Sequence, residues 1–227
     1  MSLNQITLIT ALPFSIPPIE YIADSLPWHK TNTWEKRKLE SIKRIIIHHT
    51  ASEAPLYNQA SYHVNTHGWA GLSYHLIISG GRINQVNSLE DVTFHAASNN
   101  MDTVAVCIHG DLSKREMTSQ ERELLYGAIL TVKSLCNIEQ VLGHNEVNST
   151  SCPCVSLSQI RSDIETIEHK MQQQYTWEAK LTKISQMVNQ FNYMNTLIKA
   201  GPADGNAQWA CNQNLALYEL MKDKGLL

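Results

Sequence analysis

Two histidines and one cysteine are the residues whose types and spacing could most clearly do chemistry. His48 lies near the end of a β-branched run, His144 stands in the segment GHNEV, and Cys152 follows eight residues later within STSCPC. Two imidazoles and a thiolate form a borderline-soft donor set that suits Zn²⁺. A structural zinc site normally has four protein ligands, whereas three ligands leave the fourth tetrahedral position open. The set therefore predicts one catalytic zinc ion per chain.

The residues alone leave two of these ligands ambiguous. His48 and His49 are adjacent on a predicted strand, so their side chains point to opposite faces and only one can enter a given site. Taken alone, such a pair is more often part of a core than of a metal site. Cys154 could replace Cys152 on spacing grounds. Pro153 stiffens the segment between the two cysteines, which argues against both binding one ion.

Strands and a hairpin must position these residues. The predicted strands cover residues 43–49, 73–79, 82–87, 103–109 and 140–143. The runs KRIIIHH and TVAVCIH are β-branched and apolar, which indicates strands buried on both faces. Gly80-Gly81 separates the second strand from the third, which predicts a hairpin.

Helices are predicted between these strands. One covers 56–68 and ends at Gly68, a second starts at Thr118 with Glu121 in a capping box and runs to about Cys136, and a third covers 157–174 after Ser156. Strands that alternate with helices predict an α/β domain with a central mixed β-sheet flanked by helices. The prolines of residues 1–40 favour extended or turn structure, with a short helix near 19–25.

Composition excludes several classes of protein. The net charge is −3, so no global cationic surface is available for nucleic acid or anionic lipid, and Lys36-Arg37-Lys38 is expected to be a solvated turn. An odd number of cysteines, five, argues against a disulfide framework in a chain of 227 residues. We find no secretory signal and no run of 18 apolar residues. We therefore expect synthesis in the cytoplasm and no membrane insertion.

Four segments carry a resemblance to a known family. They are IIIHHTAS (45–52), GLSYHLIIS (71–79), HAASNNMDTVAVCIHG (95–110) and GHNEVNSTSCP (143–153). In this order and spacing they resemble the type 2 N-acetylmuramoyl-L-alanine amidases, a family that includes phage lysozymes of the amidase type and the peptidoglycan recognition proteins. The resemblance covers about 110 residues, roughly 44–154. It implies the amidase and peptidoglycan recognition fold.

The resemblance also implies roles for individual residues. By matching the motifs, His48, His144 and Cys152 would bind zinc and Tyr74 would be catalytic. Thr150 matches a position that is a lysine in some phage enzymes and a threonine in active recognition proteins. The histidine of the family's HA motif, here His95, would line the substrate groove. Trp69 either flanks that groove, because aromatic faces stack on sugar rings, or belongs to the core.

Two departures from the family pattern matter. Cys107 stands where many bacterial members carry a catalytic glutamate, so that acid–base role must fall elsewhere. Tyr74 and Thr150 are the candidates, with the division of labour open. Cytosolic anhydro-muropeptide amidases have aspartate as the third ligand, and Cys152 argues against that branch.

The predicted function is zinc-dependent hydrolysis of the amide bond between N-acetylmuramic acid and L-alanine in peptidoglycan. The alternative is a module that binds peptidoglycan without cutting it, and the presence of all three ligands and Tyr74 favours the enzyme. The protein would reach the wall after release or export. A prophage lysis enzyme, a wall-remodelling enzyme and an antibacterial effector would share these residues. Stem-peptide preference and oligomeric state are left open.

Residues 177–227 lie outside the resemblance. Apolar residues from Trp177 onward follow helical spacing, Gly201-Pro202 interrupts it, and a second helix is predicted at 206–223. We place a boundary near 176, which gives an N-terminal extension (1–40), a zinc amidase domain (41–176) and a helical C-terminal extension (177–227). The extension is expected to pack on the domain or to mediate self-association with Trp177 and Trp209 buried. A wall-targeting module is the alternative.

Overall fold

The computed structural model describes residues 12–199 and residue 219. Eight strands form two sheets among these residues. They are β1 (Glu20–Tyr21), β2 (Glu35–Lys36), β3 (Arg44–His49), β4 (Leu76–Ser79), β5 (Arg82–Gln85), β6 (Asp91–Val92), β7 (Thr103–Ile108) and β8 (Gln140–Gly143). The main sheet has the order β1-β5-β4-β7-β3-β8, and β2 pairs with β6. Only β4 and β5 are antiparallel neighbours in the main sheet, so the predicted mixed sheet is confirmed.

Three of the four described helices start where the sequence predicts them. The four are α1 (Leu56–His67), α2 (Ser119–Leu135), α3 (His144–Val147) and α4 (Leu157–Lys199), of which α3 was not predicted. Gly68 ends α1 with φ of 68°, a left-handed conformation that glycine adopts without a steric penalty. The capping box between Thr118 and Glu121 starts α2 as predicted. Of the short helix expected near 19–25, only a 3-10 turn at Ala23–Ser25 is present.

The turn between β4 and β5 has the geometry that the pair Gly80-Gly81 predicts for a hairpin. Gly80 and Gly81 have φ of 61° and 73°, and a two-residue turn with both values positive matches the twist of the flanking strands. The turn sets the register in which Ile78 pairs with Ile83. Through β4, the hairpin joins the centre of the sheet.

Strand β3 lies between β7 and β8, and His48 and His49 are at its carboxyl end. Ile45, Ile46 and Ile47 are completely buried, as the β-branched run predicts. Helix α2 covers one face of β4, β5 and β7. On the other face, Cys107 belongs to a buried apolar cluster against which Tyr74 packs. The register places His48 opposite Cys107, so both residues lie at the same level of adjacent strands.

The basic cluster near the N-terminus differs from the expectation. Arg37 is buried rather than solvated, and its guanidinium donates hydrogen bonds to the carbonyl oxygens of Leu89, Asn100 and Met101. Burial lowers the pKa of Arg37 to about 10. The prediction of a solvated turn is therefore wrong for Arg37, because backbone carbonyls from two loops enclose the charge.

Helix α4 continues beyond the predicted end at 174. No glycine or proline occurs between residues 157 and 199, so nothing in the sequence stops the helix. The first compact unit ends at Glu168 and the second begins at His169. Trp177, in the second unit, is 63% exposed in the single chain. Its burial by packing on the domain or by self-association stays a prediction.

The remaining predictions for the C-terminal part, namely the break at Gly201-Pro202, the helix at 206–223 and the burial of Trp209, lie outside the described residues. None of the described helices combines the length and the apolar composition that a membrane span requires.

Candidate metal centre and substrate groove

The carboxyl end of β3 and the segment after β8 bring the three candidate ligands together. One ligand atom each from His48, His144 and Cys152 lies within 4.8 Å of the others. The rings of His48 and His144 have their centroids 4.5 Å apart, and Sγ of Cys152 lies 3.8 Å from Nδ1 of His48. Three donors at this separation can surround a single ion.

Local hydrogen bonds fix the segment that carries His144 and Cys152. The N–H of Asn145 donates to the carbonyl oxygen of Cys152 at 2.7 Å, which ties the start of α3 to the cysteine loop. Glu146 accepts from the N–H of Gly143 at 2.9 Å and is held in turn by Arg161 of α4. The GHNEV motif thus holds the backbone of this segment in place and also supplies His144.

The protonation states suit metal binding by the imidazoles. Burial, reinforced by neighbouring His95, His144 and His49, holds the pKa of His48 well below 6.5, and burial also lowers the pKa of His144. Both rings are therefore neutral at pH 7, which is the form that binds metals. Burial raises the pKa of Cys152 to about 11. The metal must therefore displace a proton from this thiol.

The two ambiguous neighbours lie apart from this cluster. Nδ1 of His49 accepts the N–H of Leu112 at 3.0 Å, so its ring faces the loop after β7. The thiol of Cys154 donates to the carbonyl oxygen of Ser151 at 3.1 Å, and its residue has a left-handed φ of 59°. The geometry thus groups His48 and Cys152, and not their neighbours, with His144.

Tyr74 lies beside the cluster on the side of Cys107. Its ring centroid is 5.5 Å from that of His48. Burial raises the pKa of Tyr74 well above 10, and the neighbouring Cys107 and Cys152 add to the shift. The phenol therefore stays protonated at neutral pH, and its hydroxyl is hydrogen-bonded to the Cys107 thiol, a bond that a ligand would replace. The pKa of the Cys107 thiol is likewise raised by burial, so Cys107 is a poor substitute for a catalytic carboxylate.

An open cavity of about 360 Å³ lies over the cluster, and Thr150 is on its rim. Oγ1 of Thr150 accepts the N–H of Cys152 at 3.2 Å. This bond uses a lone pair of the hydroxyl and leaves its hydrogen to be donated. Thr150 is exposed, so a molecule in the cavity can reach it.

Aromatic rings form one wall of the cavity. Trp69 lines it, with ring centroids 4.8 Å from His63 and 5.9 Å from Phe94, so Trp69 flanks the cavity rather than filling the core. Phe94 is 50% exposed and packs edge-on against Trp34. Sequence reasoning missed His63 and Phe94 as lining residues. The aromatic side chain directly before the HA motif was the available signal for Phe94.

His95 also lines the cavity, but it is mostly buried and contacts the ring of His48. It is 8% exposed, and its Nδ1 is 3.1 Å from Nε2 of His48. Burial, with further contributions from His75 and Arg37, holds its pKa well below 6.5. The ring of His95 is neutral, mostly buried and in contact with a candidate metal ligand. A residue that only lines the groove would instead expose its ring to the cavity.

Two histidines and one cysteine that meet at the edge of a mixed β-sheet and face a cavity have the three-ligand composition of a catalytic zinc site. The sequence model of the family described as N-acetylmuramoyl-L-alanine amidase matches residues 38–155, which is more than half of the chain. The chain belongs to this family. The match spans all three cluster residues, Tyr74 and Thr150.

Individual relatives agree with this assignment. Peptidoglycan-recognition protein SC2 of Drosophila simulans is 25% identical over an alignment of 146 positions, which covers 58% of this chain and 79% of that protein. The N-acetylmuramoyl-L-alanine amidase LysC of Clostridium intestinale URNW superposes with a TM-score of 0.56 at 21% identity and covers 66% of this chain and 98% of its own. The ectodomain complex of peptidoglycan recognition proteins LCa and LCx, bound to tracheal cytotoxin, has a TM-score of 0.53 at 19% identity. The match covers 60% of this chain and 89% of that chain. The shared fold is the amidase and peptidoglycan recognition fold.

Proposed function

We propose that this protein is a zinc-dependent amidase that hydrolyses the bond between the lactyl group of N-acetylmuramic acid and L-alanine in peptidoglycan. The observation that carries the proposal is the grouping of His48, His144 and Cys152 within 4.8 Å at the floor of an open cavity. Family membership supports the reaction type. The resemblance of the fold to a protein solved with tracheal cytotoxin supports peptidoglycan fragments as the ligand class.

The donor set fits zinc better than other common metals. Two neutral imidazoles and one thiolate are borderline-soft ligands, which disfavour Mg²⁺ and Ca²⁺. His48, His144 and Cys152 would hold the ion, and the cavity would leave its fourth position accessible. When bound, zinc acts as a Lewis acid and lowers the pKa of water from 15.7 to about 7. We propose one zinc ion per chain.

Tyr74 and Thr150 would act on the scissile amide. During hydrolysis, negative charge develops on the carbonyl oxygen and is stabilised by a hydrogen-bond donor that is already in place. The protonated phenol of Tyr74, whose ring centroid is 5.5 Å from that of His48 and which packs against the apolar cluster, would be this donor. The hydroxyl of Thr150 can donate its hydrogen at the rim of the cavity, where it would orient the departing amine.

The aromatic wall would bind the sugar or the stem peptide. Trp69 and Phe94 expose ring surface to the cavity, and aromatic faces bury apolar sugar surface while leaving hydroxyls to water. His63 accepts the N–H of Ser73 on Nδ1 at 3.2 Å, so its Nε2–H can donate to a ligand.

The division of the chain into an extension at 1–40, an amidase domain at 41–176 and a helical extension at 177–227 remains our proposal. The apolar side chains that α4 exposes beyond the first compact unit support a separate role for the last segment. A chain that ends at 176 should still cut a soluble muropeptide. Loss of wall binding alone would assign targeting to the last segment, and loss of cleavage would refute this division.

An enzyme and a recognition module are distinguished by one pair of measurements on the purified chain. Zinc content by atomic emission and cleavage of a soluble muramoyl tripeptide are measured on the same sample. We expect close to one zinc per chain and release of the free tripeptide. Binding of the muropeptide without cleavage by zinc-loaded protein would favour the recognition module instead.

A further inference from the structure

His95 links Thr103 and His48 in a chain of hydrogen bonds. The chain leads from a backbone carbonyl group to the candidate metal site. Nε2 of His48 is 3.1 Å from Nδ1 of His95, and Nε2 of His95 is 3.2 Å from Oγ1 of Thr103. The Thr103 hydroxyl in turn donates to the carbonyl oxygen of Asn99. All three side chains are buried, so water does not compete for these bonds.

The end of this chain fixes the direction of every hydrogen in it. A carbonyl oxygen only accepts, so the hydrogen of the Thr103 hydroxyl points to Asn99, and the hydroxyl oxygen accepts from Nε2–H of His95. A neutral imidazole has one donor and one acceptor, so Nδ1 of His95 accepts. Nε2 of His48 must therefore be the donor.

The consequence for His48 is that its hydrogen is on Nε2 and its lone pair is on Nδ1. Nδ1 is the atom that lies 3.8 Å from Sγ of Cys152. The chain thus selects the tautomer of His48 whose lone pair faces the other two ligands, and it holds the ring plane at the same time. Partners of this kind orient a metal-binding histidine and raise its basicity.

The backbone of His95 is braced as firmly as its ring. Oδ1 of Asn100 accepts the N–H groups of His95 and Ala96 at 3.2 and 2.8 Å, and its Nδ2 donates to the carbonyl oxygen of Ala97 at 2.7 Å. The bonds from Asn100 and Thr103 thus hold the backbone and the ring of His95 so that its Nδ1 faces His48.

We propose that His95 is a positioning residue for His48, with Thr103 setting its tautomer, rather than a residue whose main role is to line the substrate groove. The inference rests on the proposed function in one respect, namely that His48 binds the metal. It makes His95 matter for metal affinity, whereas a groove residue would matter for the Michaelis constant.

The test compares zinc affinity, by competition with a chelator, in the wild type and three variants. His95→Leu removes the acceptor and should weaken zinc binding by about 10- to 100-fold, the usual effect of losing such a partner. His95→Asn offers Oδ1 where Nδ1 was and should recover most of the affinity. Thr103→Val keeps the shape and removes the hydroxyl acceptor of the His95 ring, while the backbone hydrogen bond between His95 and Thr103 remains, so we expect a smaller loss than in His95→Leu.

Controls separate positioning from folding and from the proposed function. Melting temperatures of the zinc-free proteins report folding, and His169→Leu, an exposed histidine on α4, is the matched substitution. At saturating zinc, the Michaelis constant of His95→Asn should stay near that of the wild type. The inference is overturned if the zinc affinity of His95→Leu stays within twofold of the wild type. It is also overturned if His95→Asn loses as much zinc affinity as His95→Leu. Neither result bears on the proposed function. A wild-type protein that binds no zinc would overturn the inference together with the proposed function.

Discussion

The thiol of Cys152 lies 3.8 Å from Nδ1 of His48, although 104 positions separate the two residues in the chain. The parallel pairing of β3 with β8 brings their segments together, and the bond from Asn145 to the Cys152 carbonyl turns the loop inward. The candidate metal site therefore depends on the docking of β8 at the edge of the sheet.

Cys152→Ala should remove most of the zinc, while Cys154→Ala should keep it. A thiolate contributes one of three ligands in the first case, whereas the Cys154 thiol is bonded to the carbonyl of Ser151 and lies outside the cluster. Zinc per chain after dialysis is the measurement. Loss of zinc from the Cys154 variant with retention in the Cys152 variant would show that the ligands are assigned wrongly.

Tyr74→Phe should retain zinc and fold but lose turnover by about 10²-fold, the scale of removing one donor to a developing oxyanion. Only the hydroxyl is deleted, so packing against the cluster around Cys107 is preserved. The measurement is kcat on a soluble muropeptide. Tyr62→Phe, at an exposed position on α1, is the control. Full activity of the Tyr74 variant would reduce that residue to a packing role.

Phe94→Ala should raise the Michaelis constant for a muropeptide by about 3- to 10-fold with little change in kcat. An aromatic contact of this kind contributes about 0.5–1.5 kcal/mol. Phe94 is 50% exposed and lines the cavity, and our proposal gives it no part in the reaction at the amide. Steady-state kinetics measure both constants. Tyr57→Ala removes a similarly exposed aromatic that does not line the cavity, and an equal effect there would contradict a specific role for Phe94.

The zinc-free protein should lose stability as the pH falls from 6.5, and His75 should account for part of the loss. Burial, reinforced by Arg37, lowers the pKa of His75 to about 3. Between that value and 6.5 the unfolded state binds a proton that the folded state does not. The free energy of unfolding therefore falls as the pH falls through this window.

His75→Asn tests this linkage, because Oδ1 can still accept the N–H of Ala105 that Nδ1 accepts at 3.0 Å. Urea unfolding at pH 6.5 and pH 5 should show a smaller decrease for the variant, by about 1–2 kcal/mol, since one proton is worth about 1.4 kcal/mol per pH unit. The comparison uses the difference between the two pH values, so a constant loss of stability in the variant cancels. An equal decrease in both proteins would show that His75 is not the titrating group.

Much of the fold could be predicted because its signals are local. Gly80-Gly81 requires a two-residue turn, and the apolar runs of β3 and β7 suit strands covered on both faces. The strands β1, β2 and β6 have two residues each, which is too short to show a period, so the pairs β1 with β5 and β2 with β6 could not be predicted. Arg37 was misjudged because the carbonyls that enclose it come from segments more than 50 positions away.

The candidate site was predictable in composition but not in arrangement. Spacing alone left His48 equivalent to His49 and Cys152 to Cys154, and only the family resemblance favoured one of each. The geometry of the cluster agrees with that choice. The contact of His95 with His48 was beyond any sequence argument, because it depends on which ring nitrogen faces which partner.

The most direct test of the central claim is to count the chemical ends that the zinc-loaded protein creates in purified peptidoglycan. Amino termini are labelled before and after digestion and identified after acid hydrolysis, and reducing sugar ends are counted in the same samples. We predict new amino termini that are exclusively alanine, with no increase in reducing ends, and no such termini from the Cys152→Ala protein. Absence of new alanine termini from fully zinc-loaded wild-type protein would contradict the account.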